Sequence, residues 1–224
     1  MYRACIFDLD GTLASTLNSI AYFANSALER CGYPRIQNEK YRYLVGNGAD
    51  KLMNNMLTAV CGAQGYPQSE VQKIRSIYDA LYERNPTYAV ENYDGVHEML
   101  ETLKKTGAKL AVLSNKPDNC AKAVAHALFG DGIFDLVYGQ RAGVARKPSP
   151  EGALVIAKEL EISPQECLYI GDTNTDMKTG AAAGMDTVGV LWGFRDEQEL
   201  RDNHAKYIVE RPEQIYEIVA CSMR

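Results

Sequence analysis

The chain has 224 residues, 46% of them hydrophobic and 24% charged, enough for one large domain or for a core with a smaller companion. Lysine and arginine total 24 against 29 acids, and the net charge of −5 with no basic block argues against a general affinity for nucleic acid. No window approaches the ~18 uninterrupted apolar residues of a membrane span, no apolar leader follows Met1, and the six scattered cysteines contain no Cys-x-x-Cys pair, so a cytoplasmic protein with free thiols and without a membrane partner is expected.

Residues 3–9, RACIFDL, form a short apolar run without helical spacing, and the turn-forming pair Asp10-Gly11 follows; a buried strand that delivers a loop is expected. From Leu17 the spacing becomes helical through Leu28 and Cys31, until Gly32 and Pro34 stop it. Two more helices are predicted over ADKLMNNMLTAV (49–60) and SEVQKIRSIYDALYER (69–84), the second with Val71, Ile74, Tyr78 and Leu81 on one face. Strand signals are absent from about 15 to 85.

After NPTYAVENYDG the chain alternates. A helix over 96–106, with Gly107 as its terminal cap, precedes the strand KLAVLS and a helix after Pro117. A short strand near LVYG leads to a helix with Ser149 as N-cap and Pro150 in its first turn. Strand CLYIG, helix NTDMKTGAAAG, strand DTVGVLW, a polar helix near 196–202, strand YIV and a helix from Pro212 complete the series. Strands alternating with helices imply an α/β fold, a Rossmann-like parallel sheet covered on both faces. The all-helical stretch interrupts this series after its first strand. It is therefore expected to be an inserted unit, residues 15–85, in a core made of 1–14 and 86–224.

In such a sheet ligands sit beyond the carboxyl ends of the strands. Those ends carry Asp8 and Asp10, Ser114 and Asn115, Lys147 in the ARKPSP loop, and Asp172 with Asp176. Two unit charges ~4 Å apart repel by roughly 4 kcal/mol at an effective dielectric of about 20. So many acids gathered around one lysine call for a hard divalent cation with oxygen ligands, and magnesium is the natural choice because it keeps waters and shares its site with phosphate.

DLDGTL, LSNKP, RKPSP and GDTNTD, in this order, resemble the four motifs of the haloacid dehalogenase-like superfamily of phosphotransferases, over essentially the whole chain. The helical insert is similar to that family's small α-helical cap, and LVGNGADKLM (44–53) and AGMDTVGVLWGF (183–194) are most similar to its phosphoglycolate phosphatases. The resemblance implies hydrolysis of a small phosphorylated metabolite, 2-phosphoglycolate first. Sugar phosphomutases and nucleotide or pyrophosphate phosphatases are alternatives on the same scaffold, and a phospho-accepting signalling module is one of a different class. By the same resemblance Asp8 is the nucleophile and Asp10 the acid and base. Mg2+ is held by the Asp8 carboxylate, the Asp10 backbone carbonyl and Asp172, with Asp176 behind them orienting waters. Ser114, Asn115, Lys147 and the N–H groups of Leu9 and Asp10 contact the phosphoryl oxygens. Thr12 fixes the loop through a hydrogen bond to backbone. Gly46, Asn47 and Gly48 are expected to contact the organic part of the substrate from the cap. The motif departs from the family's usual DGTLxDS by carrying Ser15 at the acidic position.

Overall fold

A computed structural model describes residues 1–46 and 48–222. The chain divides into two compact units, Met1–Ser15 with Glu91–Arg224, and Thr16–Val90.

In the first unit the strands are β1 (Ala4–Phe7), β2 (Ala14–Ser15), β3 (Glu91–Asn92), β4 (Lys109–Pro117), β5 (Leu136–Gln140), β6 (Cys167–Gly171), β7 (Asp186–Val190) and β8 (Tyr207–Val209). Among the described residues six of these form a sheet in the order β5-β4-β1-β6-β7-β8, with every pair parallel. β1 lies between β4 and β6, in register Phe7 with Val112 on one side and with Ile170 on the other, so the strand carrying the acidic motif is central and wholly buried. Its alternation sends Ala4 and Ile6 to one face, where they pack with Ala111, Leu113, Ile156 and Tyr169.

The second unit holds α1 (Leu17–Arg30), α2 (Tyr41–Leu44), α3 (Gly48–Cys61) and α4 (Gln68–Tyr82), each packed on its neighbours. α4 buries Val71, Ile74, Tyr78 and Tyr82, whereas Leu81, expected on that face, is only half-buried. The face runs on from Tyr78 to Tyr82 at i+4 instead of to Leu81 at i+3, and the Tyr82 ring packs edge-on against Phe23 of α1. Buried Asn25 donates to the Ile36 carbonyl (2.9 Å) and accepts from the Ile36 N–H (2.8 Å) and the Tyr41 hydroxyl (3.0 Å), which ties α1 to the segment before α2 and to its first residue. Gly46 and Gly48 both take positive φ (110° and 79°), as a tight turn into α3 requires, while Asn47 lies outside the described residues. Arg75 of α4 pairs with Asp50 in the first turn of α3 (2.5 Å) and with Asp79 (2.6 Å).

The helices of the first unit are α5 (Val96–Lys105), α6 (Asp118–Phe129), α7 (Glu151–Glu159), α8 (Asn174–Ala182), α9 (Glu197–Asp202) and α10 (Glu213–Ser222). α7 begins at Glu151 with Pro150, not the expected Ser149, as its N-cap; Ser149 lies one residue before it and its Oγ accepts from the Glu151 N–H (3.3 Å). Gly107 follows the C-cap of α5 with φ 85° and donates to the Lys104 carbonyl (3.0 Å), as expected. Among the described residues no helix is long and apolar enough to cross a membrane, and all six cysteines are free.

Candidate active site

β1 runs directly into Asp8, whose N–H extends the sheet by donating to the Ile170 carbonyl (2.8 Å). The chain then turns on Gly11, with φ 89°, and the Leu9 carbonyl collects the N–H groups of Leu13 (3.0 Å) and Ala14 (2.9 Å). The turn is tight because Asp172 lies against it. A Cβ on Gly11 would stand 2.3 Å from Asp172 Oδ2, and one on Gly193 would stand 2.3 Å from Asp172 Cβ. Glycine at both places lets the end of β1 and the loop after β7 close on the same carboxylate.

Asp172, just past β6, is fully buried. Its Oδ1 accepts from the Thr12 hydroxyl (3.0 Å) and its Oδ2 from the Phe194 N–H (2.8 Å). The bond expected from Thr12 to backbone is therefore made to a carboxylate instead. The Gly11 turn carries the hydroxyl over Asp172, and the Thr12 backbone carbonyl accepts from Trp192 Nε1 (2.9 Å).

Asp176 sits at the third position of α8. Its Oδ2 accepts from the N–H (3.1 Å) and hydroxyl (2.7 Å) of Thr173, a capping box that fixes the side chain. Its Oδ1 faces Lys147 Nζ at 2.7 Å, and the same ammonium lies 2.8 Å from Asp8 Oδ1. Only 4% of the Lys147 side chain is exposed. The Asn115 carboxamide holds this lysine's backbone from both sides, donating to its carbonyl (3.1 Å) and accepting from its N–H (2.9 Å). Asn115 is thus engaged as a clamp on the Lys147 loop. Ser114 is buried, and its Oγ accepts from the Lys116 N–H (3.2 Å).

Lys116 escapes a sequence reading centred on acids. Its ammonium lies 2.8 Å from Asp10 Oδ1 with 5% of the side chain exposed. Spacing does not reveal it, because the register of β4 shifts between Leu113 and Pro117 and strand alternation is interrupted there. Trp192 and Phe194 act through contacts distant in sequence that no spacing rule finds, whereas Thr173 opens a Thr-x-x-Asp capping box, a local signal.

Carboxylate oxygens of Asp8, Asp172 and Asp176 lie within 4.8 Å of one another, all buried. Burial first and the Asp176 charge second push the Asp8 carboxyl well above the usual range, with Lys147 pulling against them. The same two causes push Asp172 up to about 7. Burial pulls the Lys147 ammonium down, but Asp176 and Asp8 outweigh it and hold it well above its ordinary value. Four carboxyl groups, Asp8, Asp10, Asp172 and Asp176, face two ammonium groups, Lys147 and Lys116, and ionising the buried acids together needs further positive charge. A divalent cation would supply it, and the donor set, all oxygen and partly anchored by hydrogen bonds, fits such an ion.

The sequence profile of the haloacid dehalogenase-like hydrolases matches residues 5–190. The chain belongs to this family. The phosphoglycolate phosphatase of Mannheimia succiniciproducens is 31% identical over 206 residues, 91% of this chain and 92% of that protein. That of Haemophilus influenzae strain Rd is 30% identical over 215 residues, 95% and 96%. A crystal structure from Lactobacillus delbrueckii subsp. bulgaricus superposes with a TM-score of 0.93 at 28% identity, covering 97% of this haloacid dehalogenase-like hydrolase and 98% of its own chain. The expected family, the parallel-sheet core and the hydrolase class are therefore borne out.

Proposed function

We propose that the chain is a magnesium-dependent phosphomonoesterase that works through an aspartyl-phosphate on Asp8, with 2-phosphoglycolate its substrate. The observation that carries this is the buried Asp8 carboxylate held 2.8 Å from Lys147 beside Asp172 and Asp176, with a second carboxyl, Asp10, two residues on. The names of the curated relatives support the choice of ester.

Phosphate monoesters are so inert that enzymes accelerate their hydrolysis by as much as ~10²¹-fold. Much of the difficulty is bringing an anionic nucleophile to an anionic ester. Lys147, already paired with Asp8, offsets that repulsion at the attacking oxygen. The ion expected in the site would be held by Asp8, Asp172 and the Asp10 backbone carbonyl. When bound it neutralises charge on the phosphoryl oxygens.

Asp8 forms a bond to phosphorus while the bond to the ester oxygen breaks, and Asp10 gives its proton to the departing alkoxide. Asp10 then takes a proton from water as that water attacks phosphorus, the Asp8–phosphorus bond breaks, and inorganic phosphate leaves. The Ser114 hydroxyl, which accepts from the Lys116 N–H, is assigned to donate to a phosphoryl oxygen, and the Leu9 N–H, which donates to Asp8 Oδ1 (2.7 Å) in the free chain, is assigned to a phosphoryl oxygen once Asp8 has engaged phosphorus. Asn115 holds Lys147 in place, Thr12 orients Asp172, and Asp176 fixes the lysine ammonium. Gly46, Asn47 and Gly48 are assigned to the organic part of the substrate.

Turnover of an aryl phosphate and of 2-phosphoglycolate tests this. Hydrolysis should require magnesium, stop on chelation, and vanish in Asp8→Asn, which keeps the shape and removes the nucleophilic charge. Hydrolysis by pure Asp8→Asn at the parent rate would remove Asp8 from the mechanism.

A further inference from the structure

Lys147 already serves the nucleophile, yet the site holds a second, almost equally buried ammonium. Burying a lysine is costly unless it is paired, so Lys116 needs a reason. One partner is Asp10, whose side chain is 19% exposed and the most open of the site's carboxylates. Under the phosphatase reading Asp10 faces the leaving alcohol, which puts the Lys116 ammonium paired with it on the leaving-group side.

The placement is built into the sheet. The register of β4 against β5 jumps from Leu113 opposite Tyr138 to Pro117 opposite Gln140, so β4 carries extra residues between those points. Such a bulge re-aims side chains at a strand end. The Ser114 hydroxyl holds the Lys116 N–H, and the Gly139 N–H of β5 donates to Asp118 Oδ1 (3.0 Å) just beyond, pinning the distorted segment on both sides.

We propose that Lys116 is a specificity-determining residue which holds an anionic group, a carboxylate, on the alcohol that departs from phosphorus. The inference rests on the phosphatase reading and deepens it. A substrate carboxylate takes over the Lys116 ammonium while Asp10 carries the proton it will give to the leaving alkoxide, so in that ion pair one anionic partner replaces another. A neutral leaving group offers the ammonium nothing in return for weakening that pair, and a site built around a buried charge discriminates strongly against an analogue lacking the complement. Recognition of the leaving group thus begins within the catalytic core itself.

The test compares 2-phosphoglycolate with its methyl ester, which keeps the leaving carbon skeleton and masks the carboxylate, using the full chain with magnesium. The parent should favour the free carboxylate at least ~10-fold in kcat/KM. Lys116→Met and Lys116→Gln should lower that ratio at least ~10-fold, and the charge-keeping Lys116→Arg should retain most of it. A ratio unchanged in Lys116→Met, with both esters slowed alike, would make Lys116 only a support for Asp10 and overturn the proposal. So would a parent that hydrolyses both esters equally, a result that needs no variant and leaves the phosphatase reading standing. A parent that hydrolyses neither ester nor an aryl phosphate sinks both.

Discussion

Stripping the divalent cation should make stability fall as pH rises, and the size of the effect follows from Asp172. This carboxyl is fully buried and is pushed from 3.8 up to about 7, by burial first and by the Asp176 charge second, against the pull of the Phe194 N–H and Thr12 hydroxyl. Between those two values the folded, metal-free chain binds a proton that the unfolded chain has released. The associated stability is fully present below 3.8 and is lost as pH rises through 7. From pH 5 to 7 the slope of one proton amounts to roughly 3 kcal/mol at about 1.4 kcal/mol per unit. For a chain of this size that corresponds to a fall in Tm of about 6–12 °C. Asp8, raised in the same direction, adds to it. A bound cation requires the deprotonated ligand, so magnesium should raise Tm strongly at pH 8 and little at pH 5. Differential scanning calorimetry of chelated and magnesium-loaded protein across this range checks the argument, with Asp172→Asn expected to flatten the chelated curve. A chelated Tm that is constant or rises from pH 5 to 8, with the same magnesium increment at both ends, would refute it.

Asp10→Asn should keep the fold and lower turnover of an alkyl phosphate by at least ~10²-fold, because the leaving alkoxide loses its proton donor; steady-state kinetics decides. Thr12→Val removes the hydroxyl that donates to Asp172 Oδ1 (3.0 Å). Its magnesium affinity, measured by calorimetric titration, should weaken about 10-fold without collapse of the far-UV spectrum. Glu161, exposed just after α7, sits at φ 57° where the Ile162 N–H donates to the Ala157 carbonyl (3.0 Å). Glu161→Gly should relieve a left-handed backbone and stabilise the chain by about 0.5–1 kcal/mol, read as a rise in denaturation midpoint at constant slope.

Much of the catalytic core was legible because its signals are local. β1 is an apolar run ended by two acids, CLYIG and DTVGVLW are unambiguous buried strands, and their carboxyl ends must share one edge of a parallel sheet. The convergence of Asp8, Lys147, Asp172 and Asp176 follows from that topology alone. What was not legible depends on contacts between distant segments. β2 and β3 have two residues each, too few for any period to show. The switch of Thr12 from a backbone acceptor to Asp172 depends on how closely Gly11 and Gly193 let two loops approach. Lys116 was hidden for another reason: a lysine in a loop-like motif is ordinarily solvated, and only the bulge in β4 turns it inward.

The antiparallel pairing of Ala14 with Asn92 and of Ser15 with Glu91 means that the polypeptide exits the catalytic unit and re-enters it through one zipped doorway. Whatever lies between those rungs can be lengthened, rewritten or excised without pulling on the carboxylates, because the seam already joins its two ends. Residues 16–90 are in that sense a cassette, and a graft from another phosphatase needs to match only the width of two paired strands.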